Sequence, residues 1–231
     1  KALTFLQSKM SAVNGNLLHN YKNGKATLNG FLEDYAFVIE AQLAMYACTF
    51  EEVHLQDAKK LMELCTADFF DEASGYFFFT SVKDSPLIAR KMETSDNVIP
   101  ASNSSIAKSL FLLGKYFDDA DFISKSLQML HHIKHLMQRY GAGYSNWAQI
   151  HLMQVFPFYE LAIVGEKAEE LRKELEVHYL PNVVLLGSKS ESQLPLLQNK
   201  FTADKSWVYL CSSNTCKQPV ESIDAALGQM E

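Results

Sequence analysis

No stretch of the 231 residues approaches the roughly 18 consecutive apolar residues that a membrane-spanning helix needs, so no membrane partner is expected. Positive charge is short as well. Twenty-one Lys and Arg stand against 27 Asp and Glu, a formal net charge of −6, and the basic residues come only as scattered pairs. That balance argues against nucleic acid or an anionic lipid surface as partner. Cysteine is scarce too: there are four, and the helical patterns around Cys48 and Cys65 place two of them inside helices. This is the usage of a reducing compartment rather than of a disulfide framework, which predicts a cytoplasmic protein. The Gly-x-Gly-x-x-Gly and Walker spacings are absent, and Ile163-Val164-Gly165-Glu166 does not supply a nucleotide loop. No cofactor is expected. No signal-peptide pattern follows Lys1, and residues 2–13 read as the tail of a helix, so the chain is expected to be a piece of something longer.

What is present is apolar and helical. At 48% hydrophobic content the chain can bury a sizeable core, as one large domain or one domain with a small companion. Within residues 28–37 two adjacent carboxylates, Glu33 and Asp34, open the most apolar helix of the sequence. From 35 to 50 only Glu40, Gln42 and Thr49 interrupt it, which predicts an inner-layer helix buried on almost all sides. Acids in a first turn face the positive end of the helix dipole and its unpaired N–H groups. Ordinary capping explains such acids equally well.

The helices then alternate in kind. Residues 51–70 are amphipathic with one wet face, 104–117 are buried, 119–139 are amphipathic again, and a third buried helix starts near Ser145. Inner, outer, inner, outer, inner is the pattern of an α/α toroid, although an irregular bundle would also permit it. From Phe158 strands alternate with helices: strands at 158–165, 182–187 and 206–211, helices at 166–178, 193–199 and 220–227. Such alternation predicts parallel pairing. The expected fold is therefore mainly α: a partial α/α toroid over 1–156, followed by a small α/β unit over 157–231. Loops 14–30 and 71–102 lead into inner helices and are long for a compact domain. They would meet the helix starts at one mouth, gathering Glu33, Asp34, Tyr35, Asn103, Ser104, Asn146 and Trp147.

Residues 28–37, the loop Asp96-Asn97-Val98-Ile99-Pro100-Ala101-Ser102-Asn103-Ser104, and the ending Val208-Tyr209-Leu210-Cys211 with Cys216 and Pro219-Val220 carry a resemblance. Together they resemble the spermatogenesis-associated protein 20 family of long proteins, with an N-terminal thioredoxin-like domain and a C-terminal α/α toroid. The resemblance covers essentially the whole chain and corresponds to the C-terminal third of such a protein. It implies partners in the same longer chain, namely the thioredoxin-like domain and earlier toroid hairpins. It also implies a toroid similar to those of N-acylglucosamine 2-epimerases and six-hairpin glycosidases, which bind sugars at the mouth. Where that family has Pro-Ser-Gly-Asn-Ser, this chain has Ala101 and Ser102 after Pro100, without the glycine.

The candidate catalytic acids are Glu33 or Asp34 from one inner helix and Asp96 from the loop before the next, since acid/base work on a sugar takes carboxylates from different elements. Tyr35, Tyr76 and Trp147 could stack on a sugar face or fill the core, and Asn103, Ser104 and Asn146 could bind its hydroxyls. His131 and His135 have i, i+4 spacing but no Glu between them, so no metal site is assigned. Cys211 and Cys216 form a Cys-x4-Cys pair after a strand. Their sulfurs should lie close enough to bridge, and a disulfide, a redox pair or two inert thiols are all open. The function expected is sugar binding or isomerisation at the mouth, and the alternative is a non-catalytic interaction or redox-client module. A toroid piece would also expose an apolar flank near its N-terminus and could dimerise through it.

Overall fold

The computed structural model describes residues 1–85, 89–212 and 215–230. An exposed helix α1 (Ala2–Lys9) leads to a hairpin of β1 (Leu18–Lys22) and β2 (Lys25–Asn29). The hairpin turns on Asn23 and Gly24, both at positive φ. Asn-Gly is the pair that a two-residue hairpin turn of this hand demands, because its twist matches that of the flanking strands. The hairpin occupies what the sequence pattern presents only as a long loop.

Two helical hairpins follow: α2 (Leu32–Thr49) with α3 (Val53–Phe69), and α4 (Ser102–Phe117) with α5 (Ala120–Met137). Each reverses through one left-handed residue, Phe50 at φ 58° and Asp118 at φ 52°, whose backbone N–H returns to the last helical turn. Asp119 then caps α5 by accepting the N–H groups of Asp121 and Phe122, both at 3.1 Å. Between the hairpins lie two short strands, β3 (Phe70–Asp71) and β4 (Tyr76–Phe77), and a long loop. A short 3-10 turn, Gly141–Tyr144, opens α6 (Ser145–Val155). Helix α4 packs against α2 on one side and α6 on the other.

Helix α4 is the enclosed one, with apolar and small polar residues buried around nearly its whole circumference. Helix α2 buries Leu32, Tyr35, Ala36, Ile39, Gln42, Leu43 and Tyr46, while Ala44, Met45, Cys48 and Thr49 are exposed. It is thus less enclosed than its composition predicts, because it has a helix of the inner row on one side only. On its other flank an open groove of about 610 Å³ runs between α1, α2 and α3, lined by Leu6, Leu17, Val38, Leu61 and Leu64.

The rest of the chain forms a four-stranded sheet in the order β6-β5-β7-β8, from β5 (Tyr159–Gly165), β6 (Val183–Ser188), β7 (Ser206–Ser212) and β8 (Thr215–Cys216), with helices α7 (Ala168–Leu175) and α8 (Ile223–Leu227). Only β5 and β6 are parallel; β7 runs antiparallel to β5. The parallel rule needs a crossover helix between strands, and residues 193–199, expected as a short helix, form turns around Pro195 instead. The sheet shares its core with the helices. Tyr46 of α2 donates its hydroxyl to the Gly187 carbonyl at 3.3 Å and accepts the Gly187 N–H at 3.2 Å. Tyr116 of α4 donates to the Leu185 carbonyl at 3.3 Å. The molecule is mainly α with a small sheet unit, and none of its helices is long and apolar enough to cross a membrane among the described residues.

Candidate functional site

The unpaired N–H groups of helix starts have to be satisfied, and here one carboxylate serves two helices. Asp96 Oδ1 accepts the Ala101 N–H at 3.0 Å and the Ser104 hydroxyl at 2.6 Å, while its Oδ2 accepts the Asn146 N–H at 2.9 Å. The Asn146 amide donates in turn to Ser104 Oγ at 3.0 Å. Asp96 is buried and ties the first turn of α4 to that of α6. A negative charge at two positive helix ends is well placed for this, and these bonds make Asp96 a clasp.

The neighbouring polar and aromatic candidates are also committed to the frame. Asn103 is fully buried; its Oδ1 accepts the Phe77 N–H at 2.8 Å and its Nδ2 donates to the Phe77 carbonyl at 2.9 Å. Trp147 is fully buried and donates its indole N–H to the Thr94 carbonyl at 2.7 Å. Tyr76 lies edge-on to Trp147 and to His132 and donates its hydroxyl to the Met129 carbonyl at 3.1 Å. Tyr35 accepts the Leu17 N–H at 3.0 Å, and burial pushes its hydroxyl up to about 12. His131 and His135 are exposed on α5, and no group of three or more His, Cys, Asp or Glu among the described residues is arranged to hold a metal.

The start of α2 is different, because its acids remain partly open to water. Asp34 Oδ2 accepts the Phe31 N–H at 2.8 Å and meets His19 Nδ1 at 2.9 Å. Glu33 beside it is held above the ordinary carboxylate range, chiefly by burial and further by the charges of Glu93 and Asp34, against the opposing pull of His19. Glu93, in the loop before α4, is tied to that helix's start: its carbonyl accepts the Asn103 N–H at 3.3 Å and its carboxylate accepts the Ser102 hydroxyl at 3.4 Å. Two turns below Glu33 on α2, Glu40 pairs with Lys108 of α4 at 3.2 Å. Lys108 also donates to Asn146 Oδ1 of α6 at 3.1 Å. A polar row therefore crosses α2, α4 and α6, and both members of its ion pair remain partly exposed.

The structure thus brings Glu33 and Asp34 together with His19 and Glu93, which sequence reasoning missed, and places Asp96, Ser104 and Asn146 in one adjacent network. His19 could have been found from the Asn23-Gly24 turn, which puts it on a strand facing the start of α2. Lys108 and Glu40 were visible only as charges interrupting apolar helices. Cys211 and Cys216 are joined by a disulfide across the β7–β8 pair, with Cα atoms 3.9 Å apart.

No family model matches the chain. It is similar to spermatogenesis-associated protein 20 of Homo sapiens, at 28% identity over 203 residues, which are 83% of this chain and 26% of the relative. The Rattus norvegicus protein of the same name gives 28% over 205 residues, again 83% and 26%. An uncharacterized protein of Caenorhabditis elegans gives 24% over 211 residues, 87% of this chain and 28% of the relative. The chain therefore spans about a quarter of the length of the curated relatives it matches.

Proposed function

We propose that this member of the spermatogenesis-associated protein 20 family binds a small sugar on the face formed by α2, α4 and α6, which we read as an arc of an α/α toroid. The observation that carries this reading is the row Glu40, Lys108 and Asn146 crossing three apolar helices, in which the two charged residues are partly exposed and the amide is buried beneath them. A polyhydroxylated ligand is held by such convergent donors and acceptors at low cost in apolar contact. In this reading Glu33 is the acid/base residue, because burial and two neighbouring acids favour its protonated form, and Glu93 is the second carboxylate from another element. Asp34 orients His19, while Asp96, Ser104, Asn103 and Trp147 hold the frame, and Tyr35 and Tyr76 are core. Epimerisation or glycoside chemistry would use the Glu33 proton at the sugar carbon or oxygen.

Saturation-transfer NMR and calorimetry with glucose, mannose, N-acetylglucosamine and N-acetylmannosamine test this. Binding lost in Glu33→Gln and Lys108→Met, with both variants folded, supports it. No binding by this chain or by a longer chain containing it rejects it. The apolar groove between α1, α2 and α3 favours a second reading, a non-catalytic interaction module. We assign that groove to a preceding helical hairpin of a longer chain such as the relatives have. The test is protection of Val38 and Leu61 from surface labelling in a longer chain, and equal labelling of both residues in the longer chain and in this one would contradict it.

A further inference from the structure

A second cavity lies where the C-terminal end of α4 meets the sheet unit. It holds about 470 Å³ and is bordered by Lys115 of α4, Glu160 of β5, Pro195, Lys200 and Cys216. Cys216 is exposed and its disulfide partner Cys211 is buried, so an incoming group meets one sulfur only. Lys200 Nζ lies 3.6 Å from Cys216 Sγ. Glu160 stands directly opposite Cys211 in the β5–β7 register, pairs through Oε1 with Lys115 at 3.0 Å, and is 1% exposed. Its second oxygen is buried and makes no hydrogen bond among the described residues. A buried charged group is normally fully satisfied, so a free carboxylate oxygen beside a sulfur pair and a cavity is an arrangement with a use.

We propose that Cys211 and Cys216 form a thiol–disulfide exchange site for a small thiol or its disulfide, with Cys216 as the attacked and attacking sulfur and Lys200 as the cation that stabilises it. In the closed state a thiol gives up its proton to water, and the resulting thiolate attacks Cys216 Sγ. The Cys211–Cys216 bond breaks, Cys211 leaves and takes a proton from water, and a mixed disulfide remains on Cys216. A second thiolate attacks the outer sulfur of that mixed disulfide, releasing the small-molecule disulfide. Cys216 is left as a thiolate, which Lys200 faces. Two small thiols are oxidised and the protein disulfide is reduced to a dithiol. In the reverse direction the Cys216 thiolate attacks the small disulfide and releases one small thiolate; Cys211 then loses its proton to water by way of the unpaired oxygen of Glu160, attacks Cys216 Sγ, and the second small thiolate leaves as the bridge closes. A lysine beside a thiolate lowers its proton affinity, and exchange depends on the thiolate fraction. Burial pulls the Lys200 ammonium below its ordinary range while the Glu160 charge opposes this. The other charged groups bordering the cavity are Lys115 and Asp118, and the Tyr209 ring lies 5.1 Å from Lys200 Nζ. This site is independent of any ligand on the face of α2, α4 and α6, so either can fail without the other.

The test uses the whole chain with Cys48→Ser, since Cys48 is an exposed free thiol, and glutathione buffers of stepped reduced-to-oxidised ratio at pH 7. Acid quenching, alkylation and peptide mass spectrometry read the state of each cysteine. The expected result is an open-to-closed ratio that follows the buffer and, in Cys211→Ser, glutathione accumulating on Cys216. Lys200→Gln should slow exchange about tenfold at pH 7 and raise the pH midpoint of Cys216 alkylation, because the thiolate fraction changes about tenfold per unit of pKa. Lys200→Arg should restore both. A bridge that stays closed at every ratio, or a midpoint unmoved by Lys200→Gln, would overturn the proposal. The wild-type ratio experiment needs no substitution at Lys200 and so decides the matter even where that variant does not fold.

Discussion

Asp96 and Asn146 are fifty residues apart, yet the Asp96 carboxylate accepts the Asn146 backbone N–H at 2.9 Å while it caps α4 with its other oxygen. One side chain therefore sets the spacing of two helix starts. Removing it strands an Asn146 N–H and an Ala101 N–H in a buried place, while the Ser104 hydroxyl keeps the Ala101 carbonyl as acceptor.

Asp96→Ala should for this reason lower stability by about 3 kcal/mol, since each bond to a charged acceptor and each buried unpaired donor counts for about 1–3 kcal/mol. For a chain of this size that is a fall in Tm of about 6–12 °C by calorimetry. Unchanged stability would remove the clasp and return Asp96 to the list of free acids.

Glu33 gives a dependence on pH whose sign follows from its raised value in the folded state. Between its ordinary value and its folded one the native state binds more protons than the unfolded chain, so this residue's contribution falls as pH rises through that window. Glu33→Gln should therefore raise Tm at neutral pH, and the gain should vanish below the ordinary glutamate range of about 4.3. A gain that persists into acid would mean that burial of Glu33 is not its cause.

Tyr46→Phe should cost about 2 kcal/mol in urea unfolding, because both the N–H and the carbonyl of Gly187 lose a buried partner. The loss should appear together in probes on α2 and on β6. Separate transitions would show that the helices and the sheet unfold as independent units.

Gly24→Ala tests the hairpin that carries His19. Gly24 has φ 79° with open space around it, so the added methyl meets no neighbour and the cost is conformational, about 1 kcal/mol. Faster amide exchange in β1 and β2, with α4 unaffected, is the expected result. The His19 imidazole resonance should shift as its contact with Asp34 loosens.

Helix positions were legible because each is set by the spacing of its own apolar residues. The five long helices fall within a few residues of the periodic pattern, and Glu33 and Asp34 stand in the first turn of α2 as the pattern implies. What was not legible depended on partners distant in sequence. Whether Asp96 is free or saturated depends on Asn146, and whether Glu33 sits beside a second acid depends on Glu93, in a loop with no period. The direction of β7 depends on the absence of a helix at 193–199, where Pro195 breaks the pattern. The proximity of Cys211 and Cys216 is a local matter, which their five-residue separation and the strand before them already implied.

Asn103 closes the open edge of a two-stranded pair from inside the protein. Phe77 lies opposite Phe70 in β3, and the Phe78 N–H bonds to the Phe69 carbonyl, so the Phe77 amide groups point away from β3 toward the outer edge of the pair. An unpaired strand edge is a template for the strand of another chain. The carboxamide of a helix residue occupies that template with one donor and one acceptor, acting as a third strand a single residue long. An aspartate there offers no donor, and a leucine offers neither group. Either would leave backbone groups of the fully buried Phe77 without a partner, so Asn103 lets a strand edge lie inside the protein with its hydrogen bonds met.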